Sequence, residues 1–181
     1  MPRYPLIHRL LHWAVAVIVL WQAGVGLIFM VLEFEGTLAS FGQDWTNFLY
    51  TYHKSFGIVV LGLMLARLGV RLAVGRPDYR PPLTTLERRL SGAVHFGLYA
   101  ALIAQPVVGW AATAAGGFPI EFFGWVLPGF LSKDEGLGET LYGLHGAIGA
   151  IIVLLALLHV AGALRHWLVL RDRVMTRMSL P

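Results

Sequence analysis

Four apolar runs, each about twenty residues or longer, recur along this chain of 181 residues and restrict its folds more than any other feature. They lie near 8–32, 46–74, 91–115 and 138–168. A run of about 20 apolar residues matches the hydrocarbon thickness of a bilayer. Backbone groups in hydrocarbon must be satisfied within the segment, so each run is expected as a helix. Only 13% of residues are charged, against about 25% in an ordinary soluble domain, and the mean hydropathy is +0.68. The expected fold is all-α, an integral membrane four-helix bundle forming one domain over 1–181. The first run follows a basic flank, as secretory signals do, but its apolar part is too long and no small-x-small cleavage site follows it. An uncleaved helix is expected there.

Charge orients the bundle. All twelve arginines fall in the N-terminus, in 67–89 or after Ala163, where three carboxylates (Asp78, Glu87, Asp172) leave that face at +9. Both lysines and the other seven acids fall in the connections around 33–54 and 121–139, leaving −5, which together give the net +4 of the chain. The positive-inside rule then predicts that both termini are cytoplasmic. The basic balance reflects this asymmetry and needs no nucleic acid partner. There is no cysteine, which excludes thioether-bound haem, iron–sulfur clusters and disulfides. An inner connection rich in Pro and Arg, "VGRPDYRPPLTTLERR", and an outer aromatic loop, "GGFPIEFFGWVLPGFLSKDEGLGE", complete the chain. The outer loop is placed to cap the bundle.

Histidines carry the chemistry. Ionisable residues inside membrane helices are costly and point to function by default. His12, in the first run, and His159, in the fourth, lie at similar depths near the cytoplasmic side, while His53 and His145 lie at similar depths near the outer side. His145 and His159 are fourteen residues apart. That is about 21 Å along a helix, returning to within about 40° of the same face. One helix therefore offers a ligand at each depth, and the antiparallel first and second runs supply the partners. Zinc takes three or four protein ligands, and non-haem iron usually needs a carboxylate. Haem needs one or two axial ligands and brings its other four nitrogens. Two bis-histidine b haems fit best, in a bundle core of the kind that often holds such cofactors. Gly57 and Gly149 each follow a histidine by four residues, where a missing side chain lets a flat macrocycle lie close, although small residues also simply aid membrane helix packing.

The motifs "LIHRLLHW", "YHKSFG", "HFGLYAALIAQPVVGW" and "LHGAIGAIIVLLALLHVAGALRHWLVLRDRVMTRM" resemble the prokaryotic cytochrome b561 family of small di-haem membrane cytochromes. The resemblance covers nearly the whole chain. It implies His12 with His159 at an inner haem and His53 with His145 at an outer haem, the same pairs that depth and chain direction suggest. It also implies one of two uses. Small free-standing members are quinone reductases taking electrons outside, including a superoxide oxidase type that reduces ubiquinone. Larger relatives are haem-carrying membrane anchors that pass electrons from a hydrogenase or dehydrogenase subunit to quinone. The length of the chain favours the first.

Several side chains suit this chemistry, each with a plainer alternative. Lys54 beside His53 is placed to steer a small anion, or to neutralise a haem propionate or snorkel; Lys133 is a second such cation. Arg9, Arg67 and Arg71 suit inner-haem propionates, or serve only as membrane anchors. His95 and His166 suit hydrogen bonding and proton transfer to a quinone; the alternatives are a helix-pairing bond for His95 and snorkelling for His166. His8 is expected at the interface. Gln105 with Pro106 is expected to mark a kink, with the amide satisfying freed backbone.

Overall fold

A computed structural model describes residues 2–79 and 82–180, so the inner connection is described except at its centre. Helix α1 (Leu6–Val74) takes in both the first and the second apolar runs. Its path breaks at Glu33 (φ 54°, ψ −166°) and at Gly42 (φ 75°, ψ 171°), leaving an outgoing arm 6–32, a short bridge 34–41 and a returning arm 43–74. The arms lie against each other: Phe29 stacks on Tyr50 at 4.0 Å, and Gln22 Nε2 donates to the His53 carbonyl at 2.9 Å. The connection between the first two apolar runs is thus mostly helical. Backbone of this kind with positive φ is almost confined to glycine, so Gly42 adopts it freely while Glu33 stores strain. Buried hydroxyls meet the carbonyls at both breaks, Thr37 at Glu33 and Thr46 at Gly42.

Helix α2 (Thr85–Ala115) starts six residues before the apolar run, because a capping box sets its first turn. The Thr84 hydroxyl accepts from Glu87 N at 3.3 Å, and the Glu87 carboxylate accepts from Thr84 N at 3.1 Å. Helix α3 (Glu135–Leu164) begins where the Asp134 carboxylate accepts from Leu137 N at 3.0 Å, and it widens at its end into a π turn over Arg165–Val169. Apolarity marks the depth of hydrocarbon and capping marks the helix end, so the two boundaries differ by a few residues. These three helical runs are long and apolar enough to cross a membrane. α2 packs against both α3 and α1. Large apolar side chains point outward, Leu20 at 73% and Leu157 at 64% exposure, as hydrocarbon-facing residues do.

The aromatic loop departs from helix, forming an antiparallel pair of β1 (Ile120–Phe122) and β2 (Trp125–Leu127). Phe123 and Gly124 both have positive φ (49° and 91°), which matches the twist of a two-residue hairpin turn. The turn is held onto the returning arm beside His53. Fully buried Ser55 accepts from Phe123 N at 2.9 Å and donates to the Thr51 carbonyl at 2.8 Å, and Phe123 meets Phe56 at 5.4 Å. Replacing Ser55 with Ala removes the acceptor of the Phe123 amide, a loss of about 0.5–1.5 kcal/mol. The expected result is a lower Tm and faster proteolytic cleavage within 120–127; an unchanged cleavage rate would show that the contact does not secure the hairpin.

An apolar cluster of Val15, Val60, Met64, Leu102 and Ile152 fills the middle of the bundle. Both termini meet at the other end: Tyr4 N donates to the Arg177 carbonyl at 3.2 Å, and Arg177 also donates to the Pro77 carbonyl. The terminal end and the hairpin end are therefore opposite ends of one bundle.

Candidate functional site

Two imidazole pairs flank the apolar middle with nearly the same geometry. At the hairpin end, His53 of the returning arm faces His145 of α3, with ring centroids 6.1 Å apart and planes at 77°. At the terminal end, His12 of the outgoing arm faces His159 of α3 at 6.0 Å and 78°. A metal bonded at about 2 Å to a nitrogen of each ring, with half of each ring added, accounts for such a spacing. Among the described residues no group of three or more His, Cys, Asp or Glu side chains is arranged around a bare ion. Paired imidazoles therefore fit a cofactor that supplies its own equatorial nitrogens.

The hairpin-end pair has a matched surround. Gln105 Nε2 donates to the His145 carbonyl at 3.0 Å, as Gln22 does to that of His53. The Gln105 amide thus crosses to α3; the expected repair of its own helix at Pro106 is not what it does. His145 Nδ1 lies 3.1 Å from the Gln105 carbonyl, so it donates there, which leaves Nε2 with the lone pair a metal needs. The Gln22 and Gln105 side-chain oxygens and His53 Nδ1 are buried without a protein partner among the described residues. The space at Gly57 and Gly149 is taken by these amides: a Cβ would lie 3.6 Å from Gln22 Nε2 at the first and 3.3 Å from Gln105 Nε2 at the second. The glycines against the imidazoles are Gly26 and Gly109. A Cβ at Gly109 would come within 2.8 Å of His145 Cε1.

Gln22, Gly26 and Gly109 lie outside the expected set, yet an internal repeat announces them. Leu-Tyr-x2-His-x3-Gly occurs at 49–57 and 141–149, and His-x9-Gln-x3-Gly occurs at 12–26 and 95–109. Each half of the chain thus contributes one Gln-bearing and one His-bearing helix. The repeat makes His95 the counterpart of His12, and it places Arg67 where the counterpart of His159 would stand.

The terminal end accordingly gathers further imidazoles and several guanidinium groups. His95 lies 5.0 Å from His159, ring to ring, with Nδ1 2.5 Å from the Ser91 carbonyl. Arg67 and Arg71 both stack over Tyr99 of α2, at 5.5 and 4.9 Å. Arg9 is drawn away to the C-terminal segment, donating to the Ser179 carbonyl at 2.7 Å. Arg177, only 1% exposed, lies over Tyr79 at 3.8 Å and Tyr4 at 5.3 Å. Burial, with Tyr79 adding, raises the Tyr4 phenol above its ordinary value, while Arg177 and Arg71 oppose the rise. His8, expected at the interface, is buried and stacked on Tyr4 at 4.9 Å, because the C-terminal segment folds back over the start of α1. His166 stands apart from this group, paired with Asp172 at 2.6 Å. Lys54 pairs with Glu121 and donates to the Pro119 carbonyl at 3.0 Å, and Lys133 pairs with Glu135 at 2.9 Å.

The sequence profile of prokaryotic cytochrome b561 matches residues 3–179. The chain belongs to that family. Membership implies b-type haem and an oxidoreductase working in electron transport across a membrane, and the apolar helices fit a bacterial inner-membrane protein. Similar proteins include cytochrome b561 homolog 2 of Escherichia coli K12, 28% identical over 177 residues, covering 97% of this chain and 90% of that one. The "Probable superoxide oxidase CybB" of Yersinia pestis is 27% identical over 178 residues, covering 97% and 95%. Cytochrome b562 of Cereibacter sphaeroides is 27% identical over 180 residues, covering 99% and 97%.

Proposed function

We propose that this cytochrome crosses the membrane four times with both termini in the cytoplasm and holds two b haems, His12 with His159 and His53 with His145. It oxidises superoxide at the outer face and reduces ubiquinone. The matched geometry of the two imidazole pairs carries the reading: 6.0 Å and 78° against 6.1 Å and 77°. The doubled α1, with its arms in contact, supports two crossings within one helical run, and the meeting of the termini supports an even number. The 27% identity to the CybB relative supports superoxide as the donor.

Held by these imidazole pairs, haem would supply one-electron redox chemistry. The protein then positions, insulates and supplies protons. Arg67 and Arg71, grouped on Tyr99 near the terminal-end pair, suit propionate carboxylates, and Arg67 Nε is buried without an acceptor among the described residues. The bond from Arg9 to Ser179 makes it a weaker partner for the same groups. At the outer face Lys54 stands beside His53, but its pairing with Glu121 offsets part of its attraction for an anion. The overall reaction takes two superoxide ions, one ubiquinone and two protons to two oxygen molecules and one ubiquinol. His95 and His166 are the residues suited to bring those protons to the quinone oxygens.

The deciding experiment follows the visible spectrum of the detergent-purified protein during superoxide generation, with and without added ubiquinone. Reduction by superoxide, reversed by ubiquinone, is the expected result. A b-type spectrum that superoxide leaves oxidised would overturn it and point to a membrane anchor fed by a dehydrogenase subunit.

A further inference from the structure

Three imidazoles at the terminal end lie outside the bis-histidine pairs. His8 is buried against Tyr4, and the other two, His95 and His166, have surroundings that separate their roles. A carbonyl 2.5 Å from a ring nitrogen requires a proton on that nitrogen, so His95 spends its Nδ1 proton on Ser91 in its own helix. Its ring then presents Nε2 among the other histidines, 5.0 Å from the His159 ring. His166 instead has its Nδ1 2.6 Å from Asp172 Oδ2, a carboxylate acceptor that holds an imidazole in one tautomer and orientation.

The chain is bent to make that pair. α3 widens into the π turn at Arg165–Val169, a form that recurs at functional sites. Leu170 N closes the turn on the Arg165 carbonyl at 3.0 Å. Arg171 then takes φ 49°, a left-handed conformation that disfavours residues bearing a side chain. The reversal returns Asp172 beneath His166: Asp172 N donates to the His166 carbonyl at 3.2 Å, and Asp172 Oδ1 accepts from Val174 N at 2.9 Å. Both carboxylate oxygens are therefore engaged, one on the ring and one on the backbone. His166 is 13% and Asp172 23% exposed at the side chain, so the pair lies between the bundle interior and water.

We infer that Asp172 is the positioning residue for His166, and that His166 so held delivers a proton through Nε2 to the quinone. Resting on the proposed ubiquinone reduction, the step is balanced as follows. Each quinone oxygen gains a proton as the quinone gains two electrons. His166 gives one proton, breaking its Nε2–H bond as one quinone O–H bond forms, and Nε2 regains a proton from water; the proton on the second quinone oxygen comes from water. Asp172 remains a carboxylate throughout, holding Nδ1–H.

The test uses the haem-loaded protein and compares wild type with Asp172→Asn, Asp172→Glu and His166→Gln. Two rates are followed by stopped-flow: haem reduction by superoxide, and haem reoxidation by a water-soluble ubiquinone. For Asp172→Asn the expected result is unchanged haem content, unchanged reduction by superoxide, and a reoxidation kcat at least roughly tenfold lower with KM for quinone little changed, as loss of a general acid costs 10²–10⁴-fold at most. A solvent deuterium isotope effect should appear or grow in the same step. Asp172→Glu should recover part of the rate, and His166→Gln should lose it as Asp172→Asn does. An Asp172→Asn protein that reoxidises like wild type overturns the inference while leaving quinone reduction standing, and Asp172 is then only a cap for the end of α3. The inference fails equally if Asp172→Glu and Asp172→Asn lose haem to the same extent, or if His166→Gln keeps the wild-type rate. If wild type is reduced by superoxide but quinone does not reoxidise it, the quinone reading itself fails, and this inference with it.

Discussion

With two haems held as proposed, changing Gly109 to Leu will cost the protein its hairpin-end haem and leave the terminal-end haem in place. The argument starts from backbone proximity. Even the first carbon of a side chain at 109 would lie 2.8 Å from His145 Cε1 and 3.0 Å from Nδ1. The ring cannot simply swing aside, because Nδ1 is held by the Gln105 carbonyl at 3.1 Å, on the same helix as the intruding carbon. Whatever rotation relieves the clash removes that hydrogen bond and moves Nε2 off the line to His53. Outer-ligand hydrogen bonds of this kind typically govern 10–100-fold in affinity, and here the ligand itself is displaced as well. Haem extracted per chain should fall by half, with the remaining absorbance titrating as a single component. Gly24→Ala is the control, since nothing lies within 4 Å of its added carbon. Full haem content in Gly109→Leu would mean that His145 does not ligate.

The second large effect distinguishes the two imidazoles that face His159. His12→Ala should abolish the terminal-end haem, whereas His95→Ala should retain it. The His12–His159 spacing of 6.0 Å repeats that of the His53–His145 pair to within 0.1 Å, while His95–His159 is 1.0 Å shorter. The shorter spacing leaves too little room for two bonds of about 2 Å with half a ring at each end. His95 is also tied through Nδ1 to Ser91, one turn back on its own helix. Low-spin signals in the electron paramagnetic resonance spectrum report each pair separately. Loss of a signal in His95→Ala with its retention in His12→Ala would reverse the assignment.

Much of this was legible in residue order alone. A run such as 138–168 has few ways to satisfy its backbone in hydrocarbon, so its helical state needed no tertiary information. The fourteen-residue spacing of His145 and His159 put both on one face at two depths, and chain direction nominated His53 and His12 opposite them. The Gln and Gly companions were equally open to reading, since the repeat at 12–26 and 95–109 is written in the sequence. Hydropathy alone hides it, because the repeat is carried by a few residues among many interchangeable apolar ones.

Other features depend on contacts between residues far apart, and composition has no hold on them. Bridge 34–41 is polar enough to read as a loop, yet buried Thr37 and Thr46 close the two breaks and keep it helical. Phe123 is a poor residue for a positive φ, and packing on Phe56 together with the Ser55 hydroxyl holds it there. Arg177 looks like one more positive-inside charge until the C-terminal segment folds it between Tyr4 and Tyr79. Sequence by itself determined where the chain enters hydrocarbon, which of its residues are too costly to be there without purpose, and at what depth they lie, because these depend on solvation and helical rise. Tertiary structure alone decided how far apart the facing imidazoles stand, what fills the space beside each glycine, and which carboxylate holds His166, because these are matters of ångströms between helices that nothing along one helix encodes.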